Sequence, residues 1–237
     1  MSSNKIISNV FGLWGGFLDL IYPPHCLVCG KIGCDYFCEI CKEKIHLIEP
    51  PTCTRCGSPI EEYCRMCVPN QFEFNTAYCC AAYEGVMRDA IHIMKYNFQK
   101  VMCKPLGEIF ADYAEDKSFD CDIIIPIPIH KKRYVERGFN QAELLARYVS
   151  RRIGIELETK ILIKHKNTLH QTNLSKEERE ANVKDCFSIK SNINLSGKHI
   201  LLVDDVFTTG NTLNSASITL KTAGVKKITA LCLARSV

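Results

Sequence analysis

The chain has 237 residues, of which 46% are hydrophobic and 24% are charged, and its formal net charge is +4. This composition excludes a wholly disordered chain, a collagenous chain and a polytopic membrane protein. Its 15 cysteines are unusual, and they raise the question of disulfides, metal ligands or buried thiols.

Residues 1–22 are predicted to form an amphipathic helix, because apolar side chains recur at close to 3.6 residues from Ile6 to Ile21. The apolar stretch contains Asp19 and is shorter than the roughly 20 residues that span a bilayer. No cleavage site of a secretory signal follows it. We therefore expect this helix to cover the neighbouring module, and we expect no stable membrane insertion.

Residues 23–72 are predicted to form a double zinc-binding module. A Cys-x-x-Cys-Gly motif recurs after 27 residues, and a second Cys-x-x-Cys pair follows each copy. Four thiolates bind zinc tetrahedrally and leave no open position, so such sites are structural. Metal then replaces the hydrophobic core that so small a module lacks. The eight predicted ligands are Cys26, Cys29, Cys38, Cys41, Cys53, Cys56, Cys64 and Cys67.

Two arrangements of these ligands are open. The repeat and the short spacers favour sequential sites, with the first four cysteines around one ion and the last four around the other. A cross-braced arrangement would pair the first motif with the third. Redox-active Cys-x-x-Cys motifs are the functional alternative, and Cys34, His25 and His46 are spare potential ligands. Zinc in place of disulfides predicts a reducing, cytoplasmic compartment.

Residues 73–237 are predicted to form an α/β domain with a parallel sheet flanked by helices, since strand and helix patterns alternate along this segment. Free cysteines within it are expected to be buried thiols. The predicted strands are Thr76–Tyr83, Ile123–Ile129, Lys160–Ile163, His199–Val203 and Ile228–Ala234, and the predicted helices are Val86–Tyr96, Cys103–Tyr113, Gln141–Arg152 and Thr212–Thr222.

Positive charge is concentrated in the middle of the chain. Residues 122–170 carry a net +5, compared with −4 for residues 1–121 and +3 for residues 171–237. This asymmetry favours an anionic ligand such as phosphates or nucleic acid. The alternative is a solvated basic face.

Residues 199–212 carry the strongest chemical signal. A predicted apolar strand ends in Asp204 and Asp205, and a Thr/Gly loop then opens a helix. The loop offers backbone N–H groups and hydroxyls to a phosphate. The carboxylates, expected to be exposed at the strand end, would accept hydrogen bonds from sugar hydroxyls or hold Mg²⁺ through water. The alternative is an acidic pair that caps the helix.

This stretch resembles the phosphoribosyl pyrophosphate (PRPP) binding motif of type I phosphoribosyltransferases. A second block, from Ile125-Pro126 to Asn140-Gln141-Ala142, resembles the hallmark of the ComF family of competence-associated, phosphoribosyltransferase-like proteins. Residues 168–182 are similar to the family's next motif, and the four cysteine pairs match its longer members. The resemblance extends from Pro23 to Arg235. One departure is Phe207, at a position that is usually aliphatic in other phosphoribosyltransferases.

The resemblance implies a type I phosphoribosyltransferase fold and a residue-by-residue site. Asp204 and Asp205 would be catalytic, as ligands of the ribose hydroxyls and Mg²⁺. A loop from Ile129 to Gly138 would bind pyrophosphate, residues 164–182 would form a hood over the site, and Lys95 resembles a pyrophosphate-contacting lysine. The implied PRPP- and phosphate-binding residues are Thr208, Thr209, Gly210, Asn211, Thr212, Lys131, Lys132, Arg133 and Arg137.

Two functions follow from the resemblance. The first is a PRPP-binding, phosphoribosyltransferase-type protein that acts in natural competence and DNA uptake and transfers phosphoribose to an unknown acceptor. The alternative is a non-catalytic protein that handles single-stranded DNA and uses the same pocket for phosphate groups. The expected partners are PRPP, single-stranded DNA and the competence DNA helicase or translocase.

Overall fold

The computed structural model describes residues 23–60, 62–64, 67, 72–96, 99–165, 186–190 and 193–236. They divide into two compact units, one that ends at Lys44 and one that begins at Ile45. The predicted N-terminal helix and residues 166–182 of the predicted hood lie outside the described residues.

The first unit is organised around thiols. A turn after Cys26 places Gly30 at φ 75°, and the Gly30 N–H donates to the Cys26 carbonyl at 2.8 Å. The described part of this unit contains helix α1 (Glu39–Glu43), which places Cys41 on its buried side. Cysteines and Phe37 fill the interior of this unit, consistent with a module that lacks an ordinary hydrophobic core.

The second unit alternates strands with helices. In chain order its described elements are β1 (Thr76–Ala82), α2 (Gly85–Tyr96), α3 (Cys103–Glu115) after a 3₁₀ turn, β2 (Ile123–Pro126), α4 (Lys131–Arg137), α5 (Gln141–Ile153), β3 (Leu162–Lys164), β4 (Phe187–Ile189), β5 (His199–Phe207), α6 (Asn211–Thr222) and β6 (Lys227–Arg235).

Four parallel strands form the central sheet in the order β1-β6-β5-β2. Most residues of β5 and β6 are buried, which explains why their sequences are apolar runs without polar alternation. Strands β3 and β4 form a separate antiparallel pair. The predicted α/β architecture with a parallel sheet is therefore confirmed.

The four long helices α2, α3, α5 and α6 each bury several apolar side chains. In α2 the buried residues are Met87, Ala90, Ile91 and Met94, a spacing that places them on one face. Helices α3 and α5 approach each other closely at Gly107, where any side chain would overlap the ring of Tyr148.

The segment after β2 differs from the prediction. Residues 129–138 were expected to be a loop, and they contain helix α4. Its sequence has neither glycine nor proline before Gly138, the His130 side chain accepts a hydrogen bond from the Lys132 N–H at 3.2 Å, and Gly138 ends the helix at φ 79°. These local signals are sufficient for two helical turns.

Among the described residues, no helix is long and apolar enough to cross a membrane.

Candidate functional site

A polar cleft of about 240 Å³ lies at the carboxyl ends of the parallel strands. Open α/β sheets bind their ligands at this edge. Residues that follow β1 and β2 meet the end of β5 here. The lining residues are Tyr83, Lys95, Ile127, Pro128, Ile129, His130, Arg133, Gln141, Lys164, Asp204, Asp205, Val206, Thr208 and Thr212.

Both carboxylates of the predicted motif line this cleft, but they are more buried than predicted. Asp204 is 8% exposed and Asp205 is 3% exposed. The expectation of exposed acids is wrong because β5 continues beyond them to Phe207 and because Lys95, in the last turn of α2, closes over them. Lys95 Nζ lies 2.7 Å from Asp205 Oδ2, and Asp204 Oδ1 accepts a hydrogen bond from the Asp205 N–H at 2.9 Å.

These groups perturb one another. Burial, together with the negative charge of Asp205, raises the pKa of Asp204 to about 7. Burial alone would lower the pKa of Lys95, but the charges of Asp205 and Asp204 outweigh it and raise that pKa. Burial lowers the pKa of Lys164, which also lines the cleft. Titratable groups with strongly shifted pKa values in a cleft are typical of functional sites.

Thr208, in the loop after β5, and Thr212, in the first turn of α6, lie in the cleft wall, whereas Thr209, Gly210 and Asn211 are not among the lining residues. Gly210 is at φ 80°, and a Cβ there would lie 2.8 Å from ring atoms of both Phe207 and Phe72. Only glycine therefore fits the left-handed, tightly packed position from which α6 begins.

The predicted basic residues divide into two groups. Arg133 lines the cleft, while Lys131 and Lys132 are exposed on α4 outside the lining. Arg137 is also outside the lining; its Nη1 donates to Gln141 Oε1 at 2.5 Å, and its guanidinium lies 5.9 Å from the Tyr96 ring centroid.

Sequence reasoning missed several residues of the cleft. Tyr83 and Gln141 were not among the predicted site residues, His130 was included only as part of the predicted loop from Ile129 to Gly138, and Lys164 was assigned only to the hood. Tyr83 directly follows β1 and His130 lies shortly after β2, so the rule that sites form at the carboxyl ends of parallel strands was the available signal.

The eight predicted zinc ligands form two sequential groups, so the structure resolves the choice between sequential and cross-braced sites. Within each group the four sulfur atoms lie within 4.8 Å of one another. Sulfur–sulfur distances are 3.7 Å for Cys26–Cys41 and Cys29–Cys38, 3.7 Å for Cys53–Cys67 and 3.4 Å for Cys56–Cys64. A zinc tetrahedron with bonds of about 2.3 Å has edges of about 3.8 Å, so both groups fit zinc.

The sequence repeat is also a structural repeat. The bridge between His25 and Ile32 recurs, 27 positions later, between Thr52 and Pro59. The Gly57 N–H donates to the Cys53 carbonyl at 2.7 Å, as Gly30 does in the first copy. Of the cysteines outside the two groups, Cys79, Cys80, Cys103, Cys186 and Cys232 are buried and form no disulfide, whereas Cys34 and Cys121 are partly exposed.

Comparison with known proteins identifies both parts of the chain. A double zinc ribbon domain family matches residues 17–82, and a phosphoribosyl transferase domain family matches residues 137–236. Competence protein F of Haemophilus influenzae is 30% identical over 221 residues, which cover 90% of this chain and 96% of that protein. The chain belongs to the ComF family.

Two further ComF-related proteins are similar over most of the chain. The DNA utilization protein YhgH of Escherichia coli K12 is 25% identical over 228 residues, which cover 92% of this chain and 99% of YhgH. Competence protein ComFC of Bacillus subtilis is 27% identical over 199 residues, which cover 76% of this chain and 75% of ComFC.

Solved structures are similar to part of this ComF-family chain. Glutamine PRPP amidotransferase of Bacillus subtilis matches with a TM-score of 0.40 and 19% identity over 55% of this chain and 26% of that one. A purine phosphoribosyltransferase of Pyrococcus horikoshii matches with a TM-score of 0.35 and 21% identity over 56% of this chain and 72% of that one.

Proposed function

We propose that this chain binds PRPP together with Mg²⁺ in the cleft at the carboxyl edge of the sheet and transfers its phosphoribosyl group to an unidentified acceptor during DNA uptake. The observation that carries the proposal is the convergence of the two carboxylates with cationic and hydroxyl side chains in one polar cleft. Membership of the ComF family supports the competence role, since relatives are named as competence and DNA utilization proteins.

The cleft has the complementary chemistry for each part of PRPP. Asp204 and Asp205 are suited to the ribose hydroxyls and to Mg²⁺, which takes oxygen ligands. Thr208 and Thr212 offer hydroxyls to the 5′-phosphate. Arg133, with its planar fork, is suited to pyrophosphate oxygens. We propose that the same ligand also contacts the other predicted phosphate ligands, Thr209, Gly210, Asn211 and Arg137. The exposed Lys131 and Lys132 would attract the anionic ligand towards the cleft.

Transfer would displace pyrophosphate at the anomeric carbon, through a transition state with oxocarbenium character. The protein would contribute positive charge at the leaving group and a fixed arrangement of hydrogen bonds to the ribose. Lys95 already neutralises Asp205, so binding of Mg²⁺ beside these acids would require the lysine to move or to share the carboxylate.

Isothermal titration of PRPP with and without Mg²⁺ tests the binding step. We expect Mg²⁺-dependent binding, weakened at least tenfold, or about 1.4 kcal/mol, by Asp204→Asn/Asp205→Asn. Asp116→Asn, at an exposed position outside the cleft, is the matched control. Equal affinity of the double variant and the parent would contradict the assignment of these acids. Release of pyrophosphate across candidate acceptors then tests turnover.

A second function is favoured by the surface of α4. There Lys131 and Lys132 are exposed next to Tyr134 and Val135, which are 50% and 75% exposed. Cations beside an accessible aromatic ring are suited to single-stranded DNA. In this alternative the protein handles single-stranded DNA without turnover, next to a competence helicase or translocase in the cytoplasm.

A further inference from the structure

Arg235, the last residue of β6, is fully buried in the second unit. Its exposed fraction is 0%. The guanidinium points to the second group of four thiols: Nη1 donates to the Cys56 carbonyl at 2.6 Å, and Nη2 lies 3.6 Å from Cys56 Sγ. Cys56 is itself fully buried in the main hydrophobic core.

Among the described residues, this buried cation has no carboxylate partner. No ion pair within the described part of the chain includes Arg235, and its Nε has no hydrogen-bond partner there. An isolated buried charge is strongly unfavourable. Arg235 also interacts with the buried Cys79 thiol: burial alone would raise the pKa of that thiol, but a hydrogen bond with Cys232 and the charge of Arg235 lower it. A divalent metal held by four thiolates has a net charge of −2, so a loaded second site supplies a countercharge to Arg235.

The same guanidinium also contacts Phe207, the last residue of β5. Its Cζ lies 4.3 Å from the ring centroid of Phe207. Phe207 and Phe72 form the surface on which Gly210 rests, as the close approach of a Cβ at that position shows. Arg235 and Phe207 therefore form a continuous row of contacts from Cys56 to the loop before α6.

We propose that Arg235 is a positioning residue of the second tetrathiolate site. Its charge and its N–H···S contact hold the metal there, and its contact with Phe207 couples metal retention to the loop before α6 and the first turn of that helix, residues 208–212. The coupling rests on the proposed PRPP site, whereas the role in metal retention does not.

Metal retention is tested by treating the zinc-loaded full chain with a zinc-selective chelator and trapping released thiols with N-ethylmaleimide. Peptide mass spectrometry reports the two cysteine groups separately. In Arg235→Met we expect labelling of Cys53, Cys56, Cys64 and Cys67 to be at least about tenfold faster, the size of effect typical of residues that support metal ligands. The first group should keep its rate and serves as the internal reference.

Arg55→Met is the matched control, because Arg55 adjoins Cys56 in sequence but donates to the Phe72 carbonyl at 2.8 Å. We expect it to leave labelling of both groups unchanged. If Arg235→Met does not fold, the same labelling experiment is done with Arg235→Lys. We then expect a smaller increase in labelling rate, confined to the second group. An equal increase in both groups, or none in the second, would overturn the proposal.

The coupling has its own test. If zinc in the second site favours the loop conformation that binds Mg²⁺–PRPP, saturating Mg²⁺–PRPP must in turn favour zinc binding there, because linkage between two binding equilibria is reciprocal. More of the second group then stays bound to metal, and its labelling slows. We expect this protection in the parent chain and its loss in Phe207→Leu. Protection that persists in Phe207→Leu would contradict the coupling. Failure of PRPP to bind the parent at all would instead reject the proposed function. The chelator experiment would still test the role of Arg235 in metal retention, because it does not depend on PRPP.

Discussion

At the scale of single residues, Asp204 and Asp205 are neighbours with different surroundings. Asp205 forms an ion pair with Lys95. Asp204 accepts a hydrogen bond from the Asp205 N–H, and the negative charge of Asp205 helps to raise its pKa. Asp205 is therefore paired with a lysine, whereas Asp204, whose pKa is raised to about 7, changes its charge near neutral pH.

The raised pKa of Asp204 predicts a pH dependence of stability. Its pKa is about 7 in the folded chain and about 3.8 in the unfolded chain, so the folded state binds the proton more tightly. Its contribution to stability is therefore present below the lower value and is lost as the pH rises towards 7. We expect the stability of Asp204→Asn relative to the parent to increase between pH 5 and pH 8 in urea denaturation.

Asp116→Asn, at an exposed position at the end of α3, is the control and should follow the parent at both pH values. Parallel pH profiles for the parent and Asp204→Asn would show that Asp204 does not titrate in this range.

The ion pair between Lys95 and Asp205 predicts a strong dependence of each residue on the other. Lys95→Met leaves Asp205 buried without its cation, and removing one member of a buried pair costs about 3 kcal/mol. The double variant Lys95→Met/Asp205→Asn should recover a large part of that loss. A double-mutant cycle by urea denaturation measures the coupling, and additive effects of the two changes would contradict it.

At the scale of elements, α4 is the informative case. It presents Lys131 and Lys132 to solvent and turns Arg133 towards the cleft. The helical conformation places Lys131 and Lys132 on the exposed surface of α4 and Arg133 in the cleft lining. Contacts with a long polyanion and contacts with a small ligand can therefore be changed independently.

This separation makes the DNA hypothesis testable. For single-stranded DNA, the logarithm of affinity falls with the logarithm of salt concentration by about 0.7 per neutralised phosphate. Lys131→Gln/Lys132→Gln should reduce this slope by about one unit and weaken binding to all sequences alike. Fluorescence anisotropy with an oligo-dT probe at several salt concentrations measures both effects.

Lys226→Gln/Lys227→Gln is the matched control, since this exposed pair lies at the amino-terminal start of β6, the end of the sheet away from the cleft. It should leave the slope unchanged. If binding is independent of salt or undetectable, DNA handling is rejected. If saturating PRPP abolishes binding, the basic residues serve the small ligand instead.

Patterns along the sequence predicted most elements of the second unit, because hydrophobic periodicity marks both buried strands and amphipathic helices. They also placed both acids in the cleft. What they could not supply was contact between distant segments: the approach of Lys95 to Asp205 is a tertiary event, and it is what buries the acids. The helix at α4 was missed for a different reason, since family resemblance took precedence over its local signals at His130 and Gly138.

At the scale of the molecule, the two thiol groups belong to different compact units. The second group packs against the hydrophobic core that also supports the sheet, through Cys53, Cys56, Cys64 and Cys67. Loss of metal should therefore have different consequences at the two sites.

We expect two zinc ions per chain, and fewer than about 1.5 by elemental analysis would exclude the two-site arrangement. Cys38→Ser should remove about one zinc while the thermal unfolding of the second unit is retained. Cys64→Ser should also remove about one zinc, but it should lower the unfolding temperature of the second unit. Cys34→Ser is the control and should keep both ions; loss of zinc in Cys34→Ser would reveal Cys34 as a ligand.

The strand order has a consequence for how the chain is made. β6 lies between β1 and β5 in the sheet, and Thr76 of β1 pairs with Thr229 of β6. β1 therefore has no neighbouring strand until β6 has been synthesised. The first thiol group needs no such delay, because Cys26 and Cys41 are only 15 positions apart. During synthesis, metal can organise the leading segment while β1 and β5 remain without their shared neighbour. Such a nascent chain exposes unpaired strand edges until β6 emerges, and unpaired edges favour aggregation.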